Sequence, residues 1–257
     1  MDYENVSLLI THYKRSQSLE HLLTTFENLD CKFGEIVVSD DGSPPEHLDY
    51  IHNVLAKRFS FKLITTPVNR GLGNNINKGQ DAVSKPYTLY VQEDFEPQEE
   101  FTFALQQSLQ YMEKDNSLDI VRYYAYFPYP YLKSLESDDL FSTMYIPTFG
   151  FKYTKIYFYS DHPHLRRSDF FTKFGRYREG IKGDRTEYHM CISFIQHKGK
   201  GIFCKKYNSL FLQKNSITEP STMKRSDLKM STNAFISVIR NLYRQVRYNY
   251  DIHFSKA

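Results

Sequence analysis

The sequence predicts an α/β fold built on a mostly parallel central sheet flanked by helices, and three observations carry that prediction. Short apolar runs alternate with segments whose apolar residues recur at helical spacing. Each apolar run ends in a polar cluster, as strands of a parallel sheet do at the edge where such folds bind ligands. The chain has 257 residues, 40% of them hydrophobic, which is enough for a sizeable core and unlike a disordered chain.

Val6–Thr11 reads as a buried strand followed by Thr11-His-Tyr-Lys-Arg-Ser16. Leu19, Leu22, Leu23, Phe26 and Leu29 then mark a helix, with Ser16 as its N-cap. Glu35–Ser39 is a second strand running into Asp40-Asp-Gly-Ser-Pro-Pro45, and Leu48, Ile51, Val54 and Leu55 form the next helix. Phe61–Thr65 is a third strand. After it, Asn69-Arg-Gly-Leu-Gly-Asn-Asn-Ile-Asn-Lys-Gly79 leads into a helix reaching Val83. A fourth strand from Tyr87 runs into Glu93 and Asp94, and Pro97 blocks its continuation. In this topology residues 11–15, 40–43, 69–77 and 93–94 converge on one crevice.

Further on, Gln98–Met112 reads as a helix and Asp119–Phe127 as a strand. The Tyr/Phe/Pro-rich stretch Tyr123–Tyr159 packs the sheet, with a minority of its rings lining an acceptor groove. Ser160-Asp-His-Pro-His-Leu-Arg-Arg167 reads as a loop, since Pro163 forbids a regular helix there. In it His164, Arg166 or Arg167 meets a phosphate or an acceptor hydroxyl, or else the loop is simply exposed. A short helix from Asp169 closes at Gly175. Met190 and Ile192–Ile195 indicate a buried helix whose polar start carries Asp184 and Glu187. Ser231–Asn249 is amphipathic, with Arg240, Arg244 and Arg247 on its polar side; it docks on the main domain or rests on an anionic bilayer. The expected division is 1–98 as a nucleotide-binding half, 99–220 as the acceptor half of the same domain, and 221–257 as a helical segment.

Adjacent like charges at Glu93 and Asp94 repel unless a cation or strong donors neutralise them. A divalent metal that also holds a diphosphate suits such a pair; a solvated acidic turn is the bland alternative. Asp40 and Asp41 lie in good turn chemistry. In the functional reading one of them accepts the imide N–H of a uracil, flanked by Thr11, Tyr13 and Arg15. Gly71-Leu-Gly73 is the only G-x-G in the first half of the chain, it follows the third strand, and Ile76 replaces the third glycine, so the dinucleotide fingerprint fails; no P-loop motif occurs. A net charge of +3 does not argue for nucleic acid. Cys31, Cys191 and Cys204 form no CxxC pair, which points to reduced thiols and a cytoplasmic setting. No uncharged apolar run approaches bilayer-spanning length.

Val6-Ser-Leu-Leu-Ile-Thr-His-Tyr-Lys-Arg15, Ile36-Val-Val-Ser-Asp-Asp-Gly-Ser43, Asn69-x-Gly71…Asn77-x-Gly79 and Leu89-x-x-x-Glu-Asp94 together resemble, in order and spacing, the family 2 glycosyltransferases with the GT-A fold. The resemblance covers about residues 5–98. It implies a nucleotide-sugar donor (a UDP-sugar first), a divalent metal (Mn²⁺ or Mg²⁺), and usually inversion. It also implies a saccharide or lipid-linked saccharide acceptor in surface polysaccharide synthesis. Carried over, Thr11, Tyr13 and Arg15 line the nucleotide pocket together with Arg70, Asn74 and Asn77, and Asp40 or Asp41 meets the base. Gln92-Glu93-Asp94 replaces the usual D-x-D, which makes Glu93 the ribose or diphosphate contact and Asp94 the metal ligand. Thr11 stands where the family often has proline. Thr186-Glu-Tyr-His-Met190 loosely matches an E-D-x-x-L motif, so Glu187 is the first choice for general base and Asp184 the second; the arginine that often follows is absent. The alternatives are a nucleotidyltransferase, which usually opens with a glycine-rich loop that Thr11–Ser16 lacks, and a non-catalytic nucleotide- or sugar-binding protein.

Overall fold

The computed structural model describes residues 1–135, 138–214, 219 and 234–255. Its centre is a nine-stranded sheet, ordered β3-β2-β1-β4-β9-β6-β10-β8-β7. The strands are β1 (Asp2–His12), β2 (Lys32–Asp40), β3 (Lys62–Ile64), β4 (Tyr87–Gln92), β6 (Ile120–Arg122), β7 (Leu132–Ser134), β8 (Phe141–Met144), β9 (His164–Arg167) and β10 (Gly201–Cys204). β1 pairs in parallel with β2 and β4, and β2 with β3, while β9 is antiparallel to both β4 and β6. β5 (Phe95–Pro97) pairs separately with β11 (Phe211–Gln213). The expected alternation of strand and helix over the first half is therefore present, and the sheet continues without a break into the second.

Alternation along β1 sorts the core into two layers. Leu8 and Ile10 pack with Leu22 and Phe26 of α1 (Ser16–Asn28) and with Phe101 and Leu105 of α5 (Glu100–Lys114). Leu9 faces the other way, with Ile76 of α4 (Leu72–Ala82), Phe170 and Phe174 of α6 (Phe170–Phe174), and Met190 and Phe194 of α7 (Gly183–Gln196). Between β2 and β3 the helical stretch runs as α2 (Pro45–Tyr50), a π turn (Ile51–Leu55) and α3 (Ala56–Arg58).

Several elements differ from expectation. The strand expected over Asp119–Phe127 ends at Arg122, because the next ladder position faces Pro163, which has no N–H to donate; Tyr123 gives its own N–H to the Pro163 carbonyl at 3.1 Å. The loop expected over 160–167 becomes β9 from His164 onward, wedged between β4 and β6. His164 and Arg166 are fully buried there, which removes both from reach of an acceptor or phosphate. Arg166 is kept charged inside the protein by Gln80 Oε1 at 2.6 Å, by the hydroxyls of Tyr159 and Tyr177, and by the faces of Tyr90 and Phe170. A polar sequence thus hides a central strand.

Ser16 does not cap α1; its hydroxyl bonds His47, and the Glu219 carboxylate accepts the N–H groups of Gln17 at 3.0 Å and Ser18 at 2.8 Å instead. The terminal helix, α8 (Ala234–Phe254), packs against α7 and the 3₁₀ turn Tyr153–Phe158, but through its more polar side. The Tyr188 hydroxyl donates to Asp251 at 2.7 Å, and the Tyr153 N–H donates to Gln245 Oε1 at 2.9 Å. The expected start of this helix at Ser231 lies outside the described residues.

Candidate active site

The ends of β1, β2 and β4 lie level. The register sets His12 against Asp40 and Thr11 against Gln92. His12 Nδ1 donates to Asp40 Oδ1 at 2.8 Å, a tautomer set by His12 Nε2 accepting the Arg15 N–H at 3.2 Å. Asp40 also accepts from the Ser43 N–H at 3.0 Å, the Ser43 hydroxyl, and Thr65 Oγ1 at 2.7 Å. Burial pushes its carboxyl up, but these donors outweigh burial and hold it well below the usual carboxylate range. Asp40 is thus a wholly enclosed structural carboxylate and offers nothing to a base. Asp41 accepts the N–H groups of Arg70 at 2.8 Å and Gly71 at 2.9 Å, tying β2 to the start of α4. It retains lone pairs for a further donor. Gly42 makes the turn possible, with φ +69° and a Cβ position only 2.4 Å from the Val68 carbonyl carbon.

Lys78 crosses from α4 to the Asp40 carbonyl at 2.7 Å. Asn74 and Asn77 turn away from the crevice mouth and clamp Glu179, at 2.7 and 2.9 Å. Asn77 also exchanges two hydrogen bonds with the Tyr177 backbone. Their amides therefore tie the second half of the chain to α4, while the buried Asn74 Oδ1 has no hydrogen-bond partner. Thr11 is buried, its hydroxyl 3.1 Å from that of Tyr90, so only its backbone faces the strand ends. Tyr13 is half-buried at the mouth, with the Lys14 ammonium 5.0 Å from its ring centroid.

Arg15 is buried and reaches both acids beyond β4, 3.3 Å from Asp94 Oδ2 and 3.8 Å from Glu93 Oε1. Gln213 Nε2 donates to the same Asp94 oxygen at 2.9 Å, whereas the buried Oδ1 has no hydrogen-bond partner. Burial, then the charge of Asp94, push the Glu93 carboxyl up to about 8. An unmet carboxylate oxygen beside a reluctant second acid fits a divalent cation that completes its shell with phosphate oxygens and water. No cluster of three or more His, Cys, Asp or Glu suited to a metal occurs among the described residues, so any cation held here leans on other ligands.

Glu187 lies in the first turns of α7. Its Oε1 accepts the Ser160 hydroxyl at 2.9 Å and the Asp161 N–H at 3.0 Å. The Asp161 carbonyl in turn accepts Gln92 Nε2 at 3.4 Å, so one backbone unit joins Glu187 to the end of β4. Asp184 is exposed at the start of the same helix. The Asp161 carboxyl accepts the Tyr177 hydroxyl at 2.8 Å through one oxygen and has no partner at the other. Burial, then the neighbouring Glu187, push it up to about 8. Two carboxyl groups thus share one pocket, and the buried Asp161 is the one held in its protonated form.

Residues 7–175 match the model of Glycosyl transferase family 2. The chain belongs to this family. A poly-beta-1,6-N-acetyl-D-glucosamine synthase of Staphylococcus epidermidis is 29% identical over 91 residues, which is 35% of this chain and 22% of that protein's length. Among solved structures, S. aureus TarS 1–349 in complex with UDP-GlcNAc superposes with a TM-score of 0.61 at 14% identity, covering 98% of this chain and 73% of that one. The mannosyltransferase PcManGT from Pyrobaculum calidifontis in complex with GDP-Man and Mn²⁺ gives 0.55 at 11%, covering 98% and 70%. At these identities the structural likeness shows the fold, and that fold is the expected GT-A arrangement.

Within the family 2 framework, the segments expected to converge do so: His12, Asp40, Asp41, Arg70, Asn75, Glu93 and Asp94 are linked by direct contacts through Arg15 and the strand ends. Asp161 is the residue that sequence reasoning missed. It was visible only as part of a polar octapeptide, and its burial depends on β9 being a strand. Glu179 was also missed, because its partners Asn74 and Asn77 lie about a hundred residues away.

Proposed function

We propose that this family 2 chain transfers a sugar from a nucleotide-sugar donor, UDP-linked by preference, to a saccharide or lipid-linked saccharide hydroxyl, with inversion. The observation that carries the reading is the bridge through Asp161, whose N–H meets Glu187 and whose carbonyl meets Gln92. It sets a carboxylate suited to deprotonate an acceptor beside the acids suited to a diphosphate. In this mechanism Glu187 takes the proton of the acceptor hydroxyl as that oxygen attacks the anomeric carbon and the nucleoside diphosphate departs. The Ser160 hydroxyl and Asp161 N–H orient its Oε1, leaving the other oxygen for the acceptor. Asp94, through its unpartnered Oδ1, and Glu93 would hold the divalent ion, which supplies Lewis-acid stabilisation of the leaving diphosphate. Arg15 holds the acid pair together from behind. Asp41 and Tyr13 are the candidates for the base, and the Arg70 guanidinium, exposed at the start of α4, for a phosphate or the ribose. Asp184 is the second choice for the general base, and its exposure ranks it below Glu187.

UDP is favoured because the TarS structure holds UDP-GlcNAc, and GDP stays in the test because PcManGT holds GDP-Man. Calorimetric titration of UDP and of GDP, each with and without Mn²⁺, on the wild type and Asp94→Ala checks the donor site. Metal-dependent binding of one nucleotide, lost in the variant, is expected. Metal-independent binding that survives the substitution would remove the metal from the proposal, and no binding of any nucleotide would remove the donor.

A further inference from the structure

The outward side of α8 is a continuous apolar stripe. Val238, Leu242 and Val246, at i, i+4, i+8, are 65%, 64% and 65% exposed, and Ile239, Tyr243 and Tyr250 extend the same side. Tyr248, Asp251 and Ile252 are on the opposite side and are occupied in docking: Tyr248 packs on Tyr153 and Tyr188, and Gln196 donates to the Ile252 carbonyl at 3.1 Å. The amides of Gln245 and Asn249 both donate to the Phe151 carbonyl, and this fixes a loop carrying the exposed rings of Phe149 and Phe151 beside the helix. A soluble monomer rarely leaves so many large apolar side chains of one helix in water.

Charge decides what the stripe fits. Asp251 is the only acid within Ala234–Phe254, and it is buried between Tyr188 and Arg247. Arg244 and Arg247 border the stripe on one side. Arg178 and Arg185, from the neighbouring α7 region, join Arg247 around His189, and burial together with these cations holds that imidazole below its ordinary pKa. Two copies packed stripe to stripe would bring Arg244 and the neighbouring Arg185 close to their counterparts, and the one acid on the helix, Asp251, is already paired with Arg247 at 2.7 Å. An anionic surface suits Arg244 and Arg185. Tyrosine is suited to a bilayer's headgroup level, and phenylalanine to the acyl boundary beneath it.

We propose that α8, with Phe149 and Phe151, is an interfacial helix that lays this protein on an anionic membrane surface. The apolar stripe enters the acyl boundary while the arginines reach the headgroups. No helix among the described residues is long and apolar enough to cross a bilayer, so the contact is a surface one. Because α8 packs on α7, which carries Glu187, the bilayer would lie next to the acceptor half and favour a lipid-linked acceptor. That last step rests on the transferase reading, whereas the membrane contact does not.

The test is flotation of the full chain with vesicles of phosphatidylcholine alone or mixed with phosphatidylglycerol, without nucleotide, at low and high salt. Leu242→Glu/Val246→Glu is compared with the wild type, and circular dichroism reports the fold of each. The wild type is expected to float with the anionic vesicles at least about tenfold better than with neutral ones, with high salt eroding the difference. The double variant is expected to stay behind while keeping the wild-type spectrum, since both side chains are exposed. Failure of the wild type to float with anionic vesicles overturns the proposal, as does equal flotation of the variant. So does a wild-type dimer in sedimentation that the same substitutions convert to a monomer, because the stripe would then belong to a second copy.

Discussion

Replacing Asp161 by asparagine keeps an oxygen for the Tyr177 hydroxyl and the backbone N–H for Glu187, and removes only a carboxyl that the native protein keeps protonated. The native group releases its proton near pH 8, against an ordinary value of 3.8. An unfolded chain releases it at the ordinary value, so between those limits the unfolded state binds fewer protons and stability falls as pH rises. The contribution is fully present below about pH 4 and is lost by about pH 8. At 1.36 kcal/mol per pH unit, linkage gives a loss of ~3 kcal/mol between pH 5 and pH 8 that the asparagine variant escapes. Urea unfolding of both proteins at the two pH values measures it, and Glu93, which titrates with the same sign in both, cancels. The variant should gain on the wild type by that margin as pH rises. A stability difference that is the same at pH 5 and pH 8 would refute the assignment of a retained proton to Asp161.

The remaining expectations concern the rest of the site and β9. Glu187→Gln should lower the transfer rate by about 10²–10⁴ with donor affinity unchanged, read by single-turnover kinetics beside nucleotide titration; a wild-type rate would exclude Glu187 as the base. Arg15→Met leaves Glu93 and Asp94 without their buried cation and should cost about 3–5 kcal/mol in chelator, with millimolar Mn²⁺ restoring part of the loss in a thermal shift assay. Arg166→Met should cost about 2 kcal/mol or more in chemical unfolding through the orphaned Gln80 and tyrosine hydroxyls, and leave nucleotide affinity intact; a selective loss of affinity would return this residue to the phosphate site. Gly42→Ala should destabilise by about 2 kcal/mol or more in the same assay, because the φ and the Val68 backbone both oppose a Cβ.

The first half of the fold was legible because its signals are local. Period-two apolar runs at β1, β2 and β4 and helical spacing through α1 and α4 each state their own element, and a parallel topology then forces their ends together. The second half was not, because burial there is decided by partners far along the chain. Nothing local in His164-Leu-Arg-Arg167 says strand; what makes it one is the pair of open edges offered by β4 and β6, and Gln80, Tyr159 and Tyr177 waiting to satisfy Arg166. Asp40 and Asp41 show the same limit at the site itself. The sequence presents two equal carboxylates, and only the positions of His12, Thr65 and the Arg70–Gly71 backbone distinguish the enclosed one from the one with spare lone pairs.

The two acid pairs near the strand ends follow one electrostatic rule with different solutions. Glu93 and Asp94 have a cation, Arg15, which approaches only one Asp94 oxygen and leaves the other unmet. Arg15 and the proposed metal would therefore not compete, because Oδ1 is the oxygen that Arg15 leaves available to a cation. Arg15 also donates to the carbonyls of Lys214 and Glu219 at 3.2 and 3.1 Å, while the Glu219 carboxylate closes the start of α1. Arg15 thus links the acid pair to Lys214 and Glu219. Among the described residues no cation hydrogen-bonds Asp161 or Glu187, and burial with the neighbouring Glu187 keeps a proton on the deeply buried Asp161. Glu187, with Oε1 held by the Ser160 hydroxyl and the Asp161 N–H, is the member of the pair positioned for the general-base role proposed above.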